Sequence, residues 1–288
     1  MNGAQLRSSD TVGEARDPGN GNLVHVWRSN SNDSIWVALN NGSPIPLPTA
    51  RTNVAPRVAR YGGHFHVVHT GTDGRIYEMP LVFSGSTTLA PSQPDAWTAL
   101  PNQAVTRSWL SPSVVALRNN QAMLSWGSAS DNSQWTMFFD GTRWQSPSQV
   151  PDDQSTTANN LAYDQHDDEI FMTHLGTDRH PYIQYQEYGN GQWSSPQLIP
   201  DISGTSTPNL VFTVDGSAIM LVPAGDSSVT AHHYGGTGLS SWSSPSVENT
   251  YRRPLTNPWL SVVGSLIFMI LTDYSTHDVY YKQLAELD

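Results

Sequence analysis

Residues 159–200 read NNLAYDQHDDEIFMTHLGTDRHPYIQYQEYGNGQWSSPQLIP, and this stretch sets the pattern of the chain. An apolar run at 170–174 and an alternating run at 182–186 are separated by the polar turn Gly176-Thr177-Asp178. A glycine-rich turn at 189–191 then leads into Trp193-Ser-Ser-Pro196. Short strand-like runs joined by turns, about forty residues in all, are typical of one blade of a β-propeller.

Two motifs recur in register along the chain. The closing motif appears as Trp97-Thr-Ala-Leu-Pro101, Trp144-Gln-Ser-Pro147, Trp193-Ser-Ser-Pro196 and Trp242-Ser-Ser-Pro245, with tryptophans 47, 49 and 49 residues apart. An opening motif, a proline before an apolar strand, starts at Pro56, Pro112, Pro208 and Pro258. Together they define six repeats, approximately residues 11–48, 52–101, 104–151, 154–200, 202–247 and 249–288.

The fold class predicted from these repeats is all-β. We expect residues 1–288 to form a single β-propeller of six four-stranded antiparallel blades, because no stretch has a sustained helical period. The sixth repeat reaches Asp288 without a closing tryptophan. Residues 3–7 are the natural substitute for its outer strand, since pairing the two ends of the chain removes a free sheet edge. The alternative is an unstructured leader.

Composition limits the classes of function. The formal charge of −11 argues against nucleic-acid binding, which requires a basic surface. The chain has no cysteine, which excludes disulfides and thiolate sites. No run approaches the roughly 20 apolar residues of a membrane helix, and residues 1–10 lack the apolar core of a signal peptide. We therefore expect a soluble protein without membrane insertion, either cytoplasmic or released by a non-classical route.

One position of the repeat is rich in aromatic side chains. The residue that ends the second strand of each unit is, in order, Trp27, His69, Trp126, His174, Pro223 and Leu271, here called the second-strand column. Two units extend the match, as His69-Thr-Gly-Thr-Asp73 and His174-Leu-Gly-Thr-Asp178. Equivalent positions form a ring in a propeller, so these side chains could stack on several sugars. The alternative interpretation is a packing position repeated between neighbouring blades.

The segment from His66 to Glu78, His-Val-Val-His-Thr-Gly-Thr-Asp-Gly-Arg-Ile-Tyr-Glu, resembles a blade of the fungal fucose-specific lectins. The resemblance implies a six-bladed propeller in which an arginine and a glutamate on adjacent strands bind sugar hydroxyls while an aromatic residue stacks on the ring. Glu78 matches the glutamate, whereas His66 stands at the arginine position. In other units the sequence alignment puts Met137, Tyr185 and Tyr281 at the glutamate position.

These observations favour a lectin that binds glycans or glycoproteins at shallow sites between blades and does not act as an enzyme. The predicted ligand-binding residues are Trp27, His66, His69, Asp73, Glu78, Trp126, His174 and Asp178. No catalytic residue, metal site or cofactor is predicted, and the oligomeric state is left open. One alternative is a propeller glycoside hydrolase that uses carboxylates such as those of Asp167, Asp168 and Glu169. A second is a protein-interaction scaffold, which would need a contiguous apolar patch.

Overall fold

The computed structural model describes residues 8, 10–40, 42–84, 88–91, 97–102, 107–199, 204, 206–223, 229–234, 246–248, 258–263, 266–273 and 275–286. Within these residues the chain forms six antiparallel sheets and one short 3-10 turn, Arg118–Asn120. This confirms the prediction of an all-β, six-bladed propeller. Among the described residues no helix has the length and apolar character needed to cross a membrane.

Blades 1 to 3 contain the first thirteen strands. Blade 1 consists of β1 (Gly13–Arg16), β2 (Leu23–Arg28), β3 (Ser34–Leu39) and β4 (Ile45–Arg51). Blade 2 consists of β5 (Arg57–Tyr61), β6 (His64–Thr70), β7 (Ile76–Ser84), β8 (Thr88–Pro91) and β9 (Thr98–Ala99). Blade 3 consists of β10 (Ser113–Ala116), β11 (Ala122–Gly127), β12 (Ser133–Phe139) and β13 (Ser148–Gln154).

Blades 4 to 6 contain the other eleven strands of the described residues. Blade 4 consists of β14 (Asn160–Asp164), β15 (Glu169–Leu175), β16 (Pro181–Glu187) and β17 (Gln197–Leu198). Blade 5 consists of β18 (Asn209–Phe212), β19 (Ala218–Pro223), β20 (Val229–Tyr234) and β21 (Ser246–Glu248). Blade 6 consists, within the described residues, of β22 (Trp259–Val263), β23 (Leu266–Thr272) and β24 (Val279–Glu286).

Blade 2 has one strand more than a four-stranded blade. The additional strand, β8, lies between β7 and β9 in the sequence and pairs with the far end of β7, with Leu81 opposite Pro91. The outer strand β9 pairs with the beginning of the same β7, with Tyr77 opposite Ala99. The blade therefore has a fifth strand because β7 is long enough to pair with two partners side by side.

Six buried apolar clusters hold the ring together, one at each interface between neighbouring blades. The recurring tryptophans explain part of this packing, since Trp97, Trp144 and Trp193 all lie in these clusters. The interface between blades 6 and 1 contains Ile270 and Val12. The ring is thus closed by a packed core as well as by hydrogen bonds.

The predicted closing strand, residues 3–7, lies outside the described residues, as does the fourth closing motif, Trp242 to Pro245. Described residues close to residues 3–7 nevertheless join the two ends of the chain by hydrogen bonds. The backbone nitrogen of Ser8 donates to the carbonyl of His277, at 3.0 Å. The hydroxyl of Thr272 donates to the carbonyl of Asp10, also at 3.0 Å.

The first strand of each blade lines a central channel of about 910 Å³. Side chains at the start of these inner strands bond the next blade. The hydroxyl oxygen of Ser113 accepts a hydrogen bond from the Leu161 N–H at 2.9 Å. The amide oxygen of Asn160 accepts from Leu210 N–H at 2.9 Å, and that of Asn209 from Leu260 N–H at 3.1 Å.

Candidate functional site

The two tryptophans of the second-strand column are buried between blades. Trp27 is 4% exposed and packs with Ile270 of blade 6, and Trp126 is fully buried against blade 2. Neither ring presents a free face, so the packing interpretation applies to both residues and the expected stacking on a ligand does not. The physical reason is their position, since the end of the second strand lies inside the stack of blades and is covered by the preceding one.

The residues paired with this column on the third strand are the more exposed aromatics. Register places Trp27 opposite Trp36, His69 opposite Tyr77, Trp126 opposite Trp135, His174 opposite Tyr182 and Leu271 opposite Tyr280. All five of these partners, here called the third-strand column, are half-buried. Sequence reasoning missed them, although each is the second or third residue of its strand.

Blades 2 and 4 build this pair in the same way. The His174 and Tyr182 rings are stacked with centroids 5.5 Å apart at 8°, and the Tyr182 hydroxyl donates to Asp178 at 2.8 Å. The His69 and Tyr77 rings lie 5.6 Å apart at 20°, and the Tyr77 hydroxyl donates to Asp73 at 3.0 Å. The structure thus brings each predicted histidine and aspartate into one unit around a tyrosine.

A glycine gives the tyrosine room in both blades. A methyl group added at Gly176 would lie 2.6 Å from Cε2 of Tyr182, and one at Gly71 would lie 2.8 Å from Cε2 of Tyr77. Real side chains do not approach so closely, so the ring and the turn fit only with glycine at this position.

At blade 4 the unit faces an open pocket of about 570 Å³, which we call the blade 3–4 pocket. It is lined by Gln149, Asp152, Asp153, Gln154, His174, Gly176, Thr177, Asp178, Tyr182 and Pro196. Asp178 is exposed, and hydrogen bonds from the His180 N–H and the Tyr182 hydroxyl hold its pKa below the usual value. The pocket therefore presents an ionised carboxylate beside an aromatic ring.

A buried polar network supports the floor of this pocket. Nε2 of His174 lies 2.9 Å from Oδ1 of Asp153, and the side-chain amide of Gln184 donates to Oδ2 of the same carboxylate. Nδ1 of His174 has no hydrogen-bond partner among the described residues. The network orients the histidine ring on which Tyr182 stacks.

The positions equivalent to Asp153 and Gln184 hold apolar residues at the blade 2 unit. Register places Ala50 where blade 3 has Asp153, and Met79 where blade 4 has Gln184. The Trp97 ring packs edge-on against His69, with centroids 4.5 Å apart. Burial lowers the pKa of His69 to about 4, so this imidazole is neutral at pH 7. Of the two equivalent units, the one in blade 4 has the polar surroundings of a binding site.

The pair His66 and Glu78 belongs to a buried network between blades 2 and 3. Oε2 of Glu78 accepts hydrogen bonds from the Tyr61 hydroxyl at 2.7 Å and from Nε1 of Trp144 at 2.8 Å. His66 stacks on Tyr61 with centroids 4.0 Å apart, and its Nδ1 lies 3.7 Å from Glu78, too far for a hydrogen bond. Protein groups thus satisfy the carboxylate.

The balance of forces on Glu78 agrees with this internal role. Burial raises its pKa, but the neighbouring His66 and the hydrogen bonds from Trp144 and Tyr61 outweigh burial and leave the pKa below its usual value. The carboxylate therefore stays ionised at neutral pH without a ligand.

The sequence alignment of Glu78 with other units was partly wrong. Glu78 lies opposite Val68, and this pair is adjacent to the pair of His69 and Tyr77: Val68 precedes His69 on β6, and Glu78 follows Tyr77 on β7. The same step leads to Thr136 in blade 3 and Ile183 in blade 4, whereas the alignment gave Met137 and Tyr185. Tyr281 of blade 6 does occupy the position. From the second-strand column to this position the chain advances nine residues in blades 2 and 4 and ten residues in blades 3 and 6, so the equivalent residue is identified by the strand pairing and not by one fixed spacing.

The acidic turn of blade 4 lies at one mouth of the central channel. Asp168 pairs with Arg118 and accepts a hydrogen bond from the Tyr163 hydroxyl. This carboxylate is occupied by an ion pair. In the part of the chain that the structure describes, no group of three or more His, Asp or Glu side chains is arranged to hold a metal ion.

Comparison with known proteins identifies the fold. No protein-family model matches the chain, and neither does any curated protein. Among solved structures, the Aleuria aurantia lectin, described as a six-bladed β-propeller with a novel fucose recognition mode, has a TM-score of 0.66 at 11% identity, with 96% of this chain and 91% of that chain covered.

Two other lectins are similar to the same extent. The SapL1 lectin in complex with alpha methyl fucoside has a TM-score of 0.70 at 13% identity and covers 97% of this chain and 94% of its own. The BP39L lectin from Burkholderia pseudomallei has a TM-score of 0.71 at 10% identity and covers 96% of this chain and 81% of its own. The chain therefore resembles these lectins in the six-bladed propeller architecture that spans nearly its whole length.

Proposed function

We propose that this protein is a lectin that binds carbohydrate without turning it over and that its principal site is the blade 3–4 pocket. The observation that carries the proposal is the combination of a half-buried ring, Tyr182, with the exposed hydrogen-bonding side chain of Asp178 in one open pocket. Binding sites of this kind pair an apolar surface with a few placed polar groups. The fold shared with lectins supports the same proposal.

The pocket suits a neutral, hydroxyl-rich ligand. The carboxylates of Asp152 and Asp178 and the amides of Gln149 and Gln154 can accept or donate hydrogen bonds to sugar hydroxyls. The described residues of the lining include no lysine or arginine, and the exposed carboxylates of Asp152 and Asp178 would repel an acidic sugar. A neutral pyranose avoids that cost and can place its C–H face against Tyr182.

The equivalent unit in blade 2 is proposed as a weaker second site. It keeps Asp73 and Tyr77, but it lacks the buried network that supports His174. Two sites on one molecule would increase avidity for a glycan-coated surface without new contacts.

The alternative of a glycoside hydrolase has one observation in its favour, since three carboxylates line the blade 3–4 pocket. Asp153 is buried and paired with His174. Asp152 and Asp178 are exposed and would have to act as the catalytic pair. A reducing-sugar assay on the oligosaccharides that bind best separates the two functions, because a lectin releases no product and a hydrolase does.

The test of the proposal is a glycan-array screen followed by calorimetry on the best ligand. We expect Tyr182→Ala to weaken binding about tenfold or more, since 1.4 kcal/mol corresponds to a factor of ten. Tyr77→Ala should remove only the weaker site. Phe83→Ala, which changes an exposed aromatic outside both units, is the matched control and should bind as the unchanged protein does. An array without any bound glycan, or full affinity after Tyr182→Ala, would contradict the proposal.

A further inference from the structure

The first residue of each inner strand forms a ring around the channel, and one member of this ring differs in charge. The six positions are Gly13, Arg57, Ser113, Asn160, Asn209 and Trp259. Ser113, Asn160 and Asn209 bond the backbone of the next blade. Arg57 has only donors and cannot accept such a bond. Its guanidinium lies over the Trp259 ring instead, with Cζ 4.4 Å from the ring centroid.

The guanidinium of Arg57 has hydrogen-bonding capacity that the protein does not use. The residue is more than nine-tenths buried. Its Nη1 donates to the carbonyl of Pro56 at 3.1 Å, whereas Nε has no partner among the described residues. Nε and Nη2 form the edge of the guanidinium that matches a carboxylate or phosphate.

Asp10, whose negative charge acts on Arg57, is bound to other groups. Asp10 accepts a hydrogen bond from the Thr11 N–H at 3.0 Å and lies 3.5 Å from Nη2 of Arg28. Burial lowers the pKa of Arg57 to about 10, and the charge of Asp10 offsets this effect only in part. The buried cation is therefore incompletely compensated.

Arg57 lines a cavity of about 360 Å³ at one mouth of the central channel. Its wall is formed by residues of blades 2, 4, 5 and 6 and of the segments that enter blades 1 and 3, and among the described residues of this wall Asp10 alone is acidic. Asn160 and Asn209 belong to the same wall, and their amide oxygens accept backbone N–H groups. Their amino groups are thus left as donors.

We propose that this cavity binds a small oxyanion, the carboxylate or phosphate group of a metabolite or the free ion, between Arg57 and the amino groups of Asn160 and Asn209. A guanidinium edge and two amide amino groups in one cavity wall supply the hydrogen-bond donors that such an anion requires. The site lies on the propeller axis and shares no residue with the blade 3–4 pocket. It is therefore independent of the proposed lectin function.

The full chain is titrated with acetate and, separately, with phosphate at constant ionic strength. Calorimetry measures binding, and the thermal unfolding midpoint is recorded at each anion concentration. A ligand that binds the native state raises the midpoint in a saturable manner. We expect saturable binding of at least one of the two anions, and the stronger of the two identifies the group as carboxylate or phosphate. No saturable binding of either anion overturns the proposal.

Two variants show whether the anion binds in this cavity. Arg57→Gln should reduce affinity about tenfold or more, because a charged bidentate contact is lost. Arg60→Gln is the matched control: Arg60 lies on the same strand, lines the channel's main cavity and pairs with Asp17 at 3.0 Å, and the variant should keep the affinity of the unchanged protein.

If Arg57→Gln does not fold, Arg57→Lys keeps the charge but loses the guanidinium edge and should also bind more weakly. Equal affinity in the unchanged protein and in a folded Arg57 variant would overturn the proposal. Glycan binding should be the same in all folded variants, so failure of either proposal can be recognised separately.

Discussion

At the scale of residues, the position of the Tyr182 ring in the candidate site is fixed by its immediate neighbours. His174, Asp178 and Tyr182 form one unit because Tyr182 stacks on the histidine and donates to the aspartate. The glycine between them is part of the same unit, since any side chain at Gly176 would overlap the tyrosine ring. The placement of the Tyr182 ring therefore depends on the lack of a side chain at Gly176, whose backbone is bonded to His180 and Arg179.

Gly176→Ala tests this dependence. The new methyl group would lie 2.6 Å from Cε2 of Tyr182, so the ring must move. We expect a loss of about 1–3 kcal/mol in the free energy of unfolding from overpacking, together with weaker glycan binding. The measurements are urea unfolding and calorimetry. Gly19→Ala, where the nearest heavy atom would be Oδ1 of Asp17 at 3.3 Å, is the control: it should cost less stability than Gly176→Ala and leave glycan binding unchanged.

His69 makes stability depend on pH. Burial lowers its pKa from 6.5 to about 4 in the folded chain, so between these values the unfolded chain binds more protons. Stability from this group is complete above pH 6.5 and is lost as pH falls towards 4. The shift corresponds to about 3 kcal/mol at 1.36 kcal/mol per pKa unit.

The pH dependence is measured by urea unfolding at pH 7, 5.5 and 4 with the unchanged protein and with His69→Gln. The difference in unfolding free energy between the two proteins should shrink by about 3 kcal/mol from pH 7 to pH 4, because the variant has no imidazole to protonate. A difference that stays constant with pH would show that His69 does not cause the effect.

At the scale of elements, a hydroxyl side chain recurs in the segments that enter blades 1 to 4. Ser8, Thr52, Ser108 and Ser155 each accept a hydrogen bond from the backbone N–H two residues later, at 3.0–3.2 Å. The hydroxyls of Ser8, Thr52 and Ser155 also donate to a carbonyl at or just beyond the end of the second strand, at Arg28, Thr70 and Leu175. These bonds hold the connection between blades against the sheet.

Ser155→Ala should therefore destabilise the protein by about 1–3 kcal/mol, because it leaves the buried carbonyl of Leu175 without its 2.6 Å hydroxyl bond. Urea unfolding measures the change. Ser195→Ala, at an exposed position, is the control and should lie within about 0.5 kcal/mol of the unchanged protein. Equal stability of the two variants would contradict a structural role for the repeated hydroxyl.

At the scale of the whole molecule, the ring is closed by packing between its first and last blades. Ile270 of blade 6 is 1% exposed and lies in the cluster with Trp27 of blade 1. Because every blade packs against two neighbours, loss of one interface should weaken all of them together.

Ile270→Ala should destabilise the protein by about 2–5 kcal/mol, the usual cost of a cavity in a core. We expect a single unfolding transition in which tryptophan fluorescence and far-ultraviolet circular dichroism coincide. Val214→Ala, at a position 72% exposed, is the control and should have little effect. Two separate transitions in Ile270→Ala would show that the blades unfold independently.

The sequence alone was sufficient for the fold and for half of the candidate site. The repeat period predicts six blades because each blade is a local unit whose strands follow one another in order. The paired segments from His69 to Asp73 and from His174 to Asp178 were recognised because four of their five residues are identical. Such features depend on neighbours along the chain, and the sequence lists those neighbours directly.

Only the tertiary structure decided which of these side chains lie at an open pocket. Trp126 and His174 occupy the same place in their blades and both are buried, yet Trp126 packs into an apolar cluster with blade 2, whereas His174 meets Asp153 of blade 3 beneath the blade 3–4 pocket. The tyrosine of the site, Tyr182, becomes evident only through its cross-strand pairing with His174. Exposure depends on what the adjacent blade places opposite a residue, and that contact joins parts of the chain some tens of residues apart.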